Sequence, residues 1–179
     1  MKFHKQKIKG VFLIEPEPFV DNRGIYRRHF CQKELKDQSI NFNVAQANIV
    51  ENRQRYTLRG FHFQKPPFAE GKLLSCLKGS AYDIVLDIDP KSATYLQWIG
   101  FDLNGKNRNS LYIPPSCTHA ILTLQDNTII HYYSSEFYAP NVEGGIRYND
   151  PYFNFKWPHQ PRIISDKDAR FPDFTPENK

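Results

Sequence analysis

Methionine is nearly absent from this 179-residue chain, occurring once, at position 1. Cysteine is scarce too. Cys31, Cys76 and Cys117 are odd in number, far apart and form no CxxC, which speaks against a disulfide framework and a thiolate zinc site. No window approaches the roughly 18 consecutive apolar residues of a membrane span. The run Val11-Phe12-Leu13-Ile14 stops at Glu15-Pro16, short of the roughly 7–15 residues of a secretory signal core, so a cytoplasmic protein is expected. Charge of one sign is not concentrated: 24 Lys and Arg against 19 Asp and Glu give a formal net charge of +5, scattered along the chain. Nucleic-acid binders gather their cations on one face or stripe, so no nucleic-acid partner is expected. A small anionic ligand, met by a few placed arginines, needs no such footprint.

Several motifs are also missing. There is no GxGxxG, GxxxxGK[ST], GxSxG or HExxH, which disfavours Rossmann hydride transfer, P-loop phosphoryl transfer and serine hydrolysis. What remains is a globular composition, 40% hydrophobic and 24% charged, of a length usual for one domain, taken as residues 1–179. The periodicity is mostly two. Strands are expected at Ile25–Phe30, Asn43–Val50, Arg59–Gln64, Lys72–Leu77, Ala81–Asp87, Leu96–Leu103, Ser110–Ile113, His119–Leu124 and Thr128–Phe137. Turn clusters such as Asp21-Asn22-Arg23-Gly24 and Lys78-Gly79-Ser80 separate them. Many short strands at this spacing predict an all-β sandwich or barrel. Helical signal is confined to about two turns at Gln32–Gln38. Five prolines from Pro151 to Pro176 predict an extended C-terminal segment wrapping the barrel.

The densest chemistry is Arg59-Gly60-Phe61-His62-Phe63-Gln64. On a strand, Phe61 and Phe63 face one way, and Gly60, His62 and Gln64 the other. His62 is then a candidate base, its ordinary pKa near 6.5 suiting proton abstraction; a solvated surface histidine is the alternative. Lys72 opens a strand, where a lysine is ordinarily solvated. His119, delivered by Pro114-Pro115, reads equally as a core or a functional histidine. Tyr132 and Tyr133 must face opposite sides, so one can point into the barrel, where packing is the commoner role. Asp168 reads as part of an exposed acidic turn. A β-barrel metal site of two histidines and a carboxylate on one strand, plus a later histidine, is not matched, because Gln64 stands where a second histidine is needed. No bound metal is expected.

Taken together, these pieces resemble the dTDP-4-dehydrorhamnose 3,5-epimerase family. The resemblance rests on Asp21 to Gly24, Arg59 to Gln64, Gly71-Lys72-Leu73, Tyr82 to Asp87, Ile113-Pro114 with His119, Tyr132 with Tyr138-Ala139-Pro140, Asn149-Asp150-Pro151, Trp157-Pro158 and Ser165 to Asp168. It implies a cupin-like jelly-roll β-barrel with short peripheral helices, commonly a homodimer exchanging N-terminal strand segments. It implies an isomerase of deoxysugar and surface-polysaccharide biosynthesis that needs no cofactor or metal. The substrate would be a nucleoside-diphosphate 4-keto-6-deoxyhexose, epimerised at C3, C5 or both. Carried over residue by residue, His62 is the base, Asp168 its carboxylate partner, Lys72 the cation near the C4 oxygen and Tyr132 the acid on the opposite ring face. Arg23 and Arg59 match diphosphate contacts and His119 a second active-site histidine.

The chemistry fits that set. A C–H beside a ketone is removed as an enolate, which calls for a base and a positive charge at the oxygen. Inversion then needs a second group on the other ring face. Binding alone needs neither, which counts against a non-catalytic sugar-binding jelly roll. The chain departs from the family where Arg28 stands in place of an acidic residue. Base selection is expected from Arg28, Gln46, Asn48, Phe137 and Tyr138. Arg28 can only donate hydrogen bonds and cytosine offers acceptors, so the nucleotide is left open between dTDP and CDP, with GDP and UDP as further possibilities.

Overall fold

The computed structural model describes residues 1–176, with thirteen strands and two short α-helices among them. The first strands are β1 (Lys2–Lys5), β2 (Phe12–Glu15), β3 (Phe19–Asp21), β4 (Gly24–Tyr26) and β5 (Gln46–Asn52). Then come β6 (Leu58–Gln64), β7 (Lys72–Lys78), β8 (Ser80–Asp87), β9 (Trp98–Asn104) and β10 (Ser110–Ile113). The last are β11 (Cys117–Thr123), β12 (Thr128–Ser134) and β13 (Glu143–Gly145). Helix α1 spans Gln32–Asp37 and α2 spans Asp166–Ala169.

Two sheets face each other in a cupin-like jelly roll. One has the order β1-β2-β10-β7-β12-β5, the other β13-β6-β11-β8-β9, and all ladder pairings are antiparallel. The period-two pattern explains the layering. Leu74, Cys76, Val85, Leu111, Ile121 and Ile130 point inward and form the core between the sheets. The alternate residues Phe12, Leu73 and Tyr112 point outward, where Leu35 of α1 and Phe42 cover them. On the other sheet, Phe61, Ile84, Leu86 and Ala120 are covered by Phe153, Phe155 and Trp157 of the proline-rich C-terminal segment. Cys76 and Cys117 are free and buried, and burial pushes their thiols up to about 11 and about 12. Gly79 makes the tight β7–β8 turn with φ +80°, and a Cβ there would collide with Thr128.

The structure departs from the sequence expectations at several ends. The strand expected over Ile25–Phe30 stops at Tyr26. Beyond it, His29 tucks against the outer face of the six-stranded sheet, its Nε2 3.0 Å from Nδ1 of His131 and 3.3 Å from Oγ of Ser75. The strand expected to reach Phe137 stops at Ser134, because Ser135 is drawn aside into a reciprocal pair with Gly71. β1, β2, β3 and β13 were not foreseen. β3 and β4 form a separate two-stranded hairpin that belongs to neither main sheet. No helix of the described residues is long and apolar enough to cross a membrane.

Candidate active site

A cavity of about 520 Å³ lies between the sheets and is roofed by residues 163–168. That volume falls in the usual range for a small-molecule site. His62 enters it from β6 because its neighbour Phe61 is committed to the opposite face, wholly buried and stacked on Phe155 at 4.6 Å between centroids. Gly60 lets β6 run close to β11: with φ +111°, a Cβ there would sit 2.5 Å from the His119 carbonyl.

Asp168 is buried, contrary to the exposed turn read from its local sequence. Ser165 caps α2, its Oγ accepting from the Asp168 N–H at 3.1 Å. The strap before the helix is pinned by Arg162 N–H and Leu58 N–H donating to the Tyr56 and Ile163 carbonyls, each at 2.8 Å. Asp168 is thereby set against His62, with Oδ1 2.7 Å from Nε2, while Oδ2 accepts from Gly60 N–H at 3.3 Å. Burial opposes ionisation of Asp168, but the His62 hydrogen bond and charge, with the bonds from Gly60 and Ser165, outweigh it. The carboxyl is held below its ordinary value. With Nε2 committed to Asp168, Nδ1 is the His62 nitrogen left to take a proton.

His119 stands in register with His62 on the neighbouring strand. Its Nδ1 lies 2.9 Å from Oδ2 of Asp83, which is fully buried and whose Oδ1 has no hydrogen-bond partner among the described residues. Burial raises the Asp83 pKa, against the pull of His119 and Lys72.

The facing wall is the six-stranded sheet. Tyr132 points inward from β12 and Tyr133 outward into the α1 cluster. Burial, reinforced by Glu70 and opposed by Arg59, pushes the Tyr132 phenol above its ordinary value. Lys72 enters from β7 with Nζ 3.0 Å from Oε1 of Glu70. Arg59 donates from Nε to Asn52 Oδ1 at 2.9 Å. His62 and Tyr132 thus occupy opposite walls, and facing sheets stand about 10 Å apart, room for one sugar ring.

The cavity brings together His62, Asp168, Lys72, Tyr132, His119 and Arg59. The other candidates lie elsewhere in the single chain. Arg23 is on the β3–β4 hairpin, exposed and bonded to Asp21. Arg28 pairs with Glu34 at 2.8 Å. Gln46 Oε1 accepts from Tyr138 N–H at 2.9 Å, and Asn48 pairs with Tyr132 in the β5–β12 ladder. Phe137 and Tyr138 are exposed, Tyr138 donating its hydroxyl to Glu143 at 2.8 Å. Lys167, Asn52, Glu70 and Asp83 were missed from sequence. Lys167 lines the cavity and pairs with Glu143 at 2.5 Å; its position beside Asp168 was the only signal. Gln64 is buried as a backbone anchor, donating to the Phe68 and Phe137 carbonyls and accepting from Ala139 N–H. No group of three or more His, Cys, Asp or Glu among the described residues is arranged to hold a metal.

The model of one family, described as dTDP-4-dehydrorhamnose 3,5-epimerase, matches residues 5–176. The chain belongs to the dTDP-4-dehydrorhamnose 3,5-epimerase family. It is an isomerase of the nucleotide-sugar epimerase type. Among curated members of the family, the dTDP-4-dehydrorhamnose 3,5-epimerase of Shigella flexneri is 34% identical over 171 residues, 94% of this chain and 93% of the relative. The crystal structure of the Bacillus anthracis dTDP-4-dehydrorhamnose 3,5-epimerase with TDP and PPi bound superposes with a TM-score of 0.93 at 32% identity, covering 97% of this chain and 99% of that one. A 3'-monoepimerase from Streptomyces bikiniensis, in complex with dTDP-quinovose, gives a TM-score of 0.89 at 28% identity, over 95% of this chain and 86% of that one.

Proposed function

We propose that the chain, as one epimerase domain, inverts C3 and C5 of a dTDP-linked 4-keto-6-deoxyhexose without a cofactor. The observation that carries this reading is the placement of the His62–Asp168 dyad and Tyr132 on opposite walls of one cavity. A ring lying between them has a base on one face and an acid on the other. His62 Nδ1 takes the proton beside the C4 ketone, and ionised Asp168 stabilises the resulting imidazolium. Lys72 faces the enolate oxygen with His119 beside it. Tyr132 returns a proton from the opposite face. C3 and C5 both flank C4, so one pivot of the ring about that carbonyl exposes either centre to the same pair.

Arg59 serves the diphosphate from inside the cavity. Arg23 serves it from a second copy. This part of the reading is supported by the hairpin, which leaves Phe19, Val20, Ile25 and Tyr26 47–70% exposed and carries Arg23 away from its own chain's cavity. Exchange of hairpins in a homodimer buries those side chains and delivers the arginine. The pairing of Arg28 with Glu34 ties its guanidinium to helix α1, outside its own chain's cavity, which supports dTDP over CDP. NMR in D2O with dTDP- and CDP-4-keto-6-deoxyglucose tests the reading. Deuterium at both C3 and C5 with inversion is expected for the dTDP sugar. Exchange at one centre alone would instead make the chain a monoepimerase.

A further inference from the structure

We propose that Glu70 is a positioning residue for the six-stranded wall of the site, its carboxylate orienting the Lys72 ammonium and setting the charge that the Tyr132 hydroxyl faces. The inference rests on the epimerase reading of the cavity and adds a residue to it. Glu70 lies on the connection between β6 and β7, next to Gly71. Gly71 is tied on both sides to Ser135, donating to its Oγ at 2.8 Å and accepting from its N–H at 2.9 Å. That pair of hydrogen bonds fixes the connection to the end of β12. Both side chains of the Glu70–Lys72 pair are only 13% exposed, so the pair is a wall element and not a solvated surface contact.

Lys72 pairs with Ser134 across the β7–β12 ladder, which makes Tyr132 its diagonal neighbour on the same inward face. An ammonium has three donors. The bond to Glu70 uses one and leaves two for a ketone or enolate oxygen, so the carboxylate aims the cation without blocking it. The same negative charge disfavours a phenolate at Tyr132, which must still hold its proton when the enolate forms. Arg59 acts in the opposite sense, and His62, His119, Asp168 and Lys167 face the same space from the other wall and the roof. Glu70 thus links two tasks: charge at the ketone oxygen and a protonated donor on the delivering face.

The test uses Glu70→Gln and Glu70→Asp in the full chain across an alkaline pH series. Tyrosinate absorbance, taken as the difference from the matching Tyr132→Phe protein, reports ionisation of Tyr132 and needs no turnover. Substrate NMR in D2O reports the ratio of inverted product to deuterium incorporated with retention. Glu70→Gln is expected to move Tyr132 ionisation down by about one pH unit. The inverted fraction at high pH should fall with it by about 3–10-fold, because exchange continues at His62 while the donor is lost. Glu70→Asp should restore most of both. An unmoved Tyr132 titration, or equal loss of exchange and inversion at every pH, overturns the proposal. If the wild-type chain neither exchanges nor inverts, the epimerase reading falls, and the absorbance titration still decides the influence of Glu70 on Tyr132.

Discussion

His62 and His119 face each other in register across β6 and β11, and each commits one ring nitrogen to a buried carboxylate. The two dyads are not equivalent. His62 is bound through Nε2 to Asp168, whose carboxyl is held low by its hydrogen bonds. His119 is bound through Nδ1 to Asp83, whose carboxyl is raised by complete burial. Asp168 is held by Gly60 N–H as well as by its histidine, whereas Asp83 keeps one oxygen without a hydrogen-bond partner among the described residues, and the better-anchored dyad supports His62 as the base and His119 as a group that orients the ketone.

His62→Ala should lower turnover by about 10²–10⁴-fold, the usual worth of a general base. Asp168→Asn should cost less, since it loosens the ring's orientation and weakens its imidazolium without removing it. Solvent deuterium exchange at C3 and C5 measures both, and near-normal exchange in His62→Ala would exclude His62.

Tyr132→Phe should keep proton removal and lose delivery from the opposite face. Deuterium should enter with retained configuration and little inverted product should form, as read by NMR. Loss of exchange along with inversion would move Tyr132 to binding or packing.

Lys72→Met keeps the stem and removes the charge. Because enolate charge develops mainly in the transition state, kcat should fall steeply with KM little changed. Steady-state kinetics separates this from a ground-state contact, which would raise KM alone.

Arg23→Ala and His62→Ala homodimers should each be impaired. Mixed after reversible unfolding, they should regain about one quarter of wild-type activity, because half of randomly paired dimers hold one complete site of two. An arginine acting within its own chain would give no recovery.

His29 is lowered to about 4, chiefly by burial and then by His131 and Arg27, and His131 is lowered by burial. Both folded values lie below the unfolded value, so the unfolded chain binds protons first as pH falls. Stability should be full above about pH 6.5 and decline toward pH 4, by on the order of 1–3 kcal/mol. Urea unfolding at pH 7 and pH 5 measures the decline, and His29→Gln should flatten it.

The strands from Lys72 to Ser134 were legible in the sequence because all but the edge strand β9 have strands on both sides, so hydrophobic alternation alone dictates their faces. Edge pieces such as Lys2–Lys5 and Glu143–Gly145 carry no such signal; pairing to a neighbour makes them strands. Asp168 looked exposed because nothing in Ser165-Asp166-Lys167-Asp168 reports a histidine 106 residues earlier. Its role entered only through the family resemblance. Lys167 and Glu70 escaped for the same reason: their partners are set by the fold of loops, and loop lysines and glutamates are ordinarily solvated. The turn at Asp21-Asn22-Arg23-Gly24 was legible, but its place in a hairpin outside both main sheets was not, since local periodicity does not report which sheet a strand joins.

The roof of the cavity has a consequence for the life history of the molecule. Both main sheets are complete by Gly145, yet Asp168 arrives on α2, behind the aromatic segment that covers the second sheet. In chain order, every strand of the sandwich precedes the carboxylate that pairs with His62. A protease cut between Trp157 and Ile163 should spare the sandwich while silencing proton transfer. Heat that peels Phe153, Phe155 and Trp157 from the sheet should likewise abolish turnover before the strands melt.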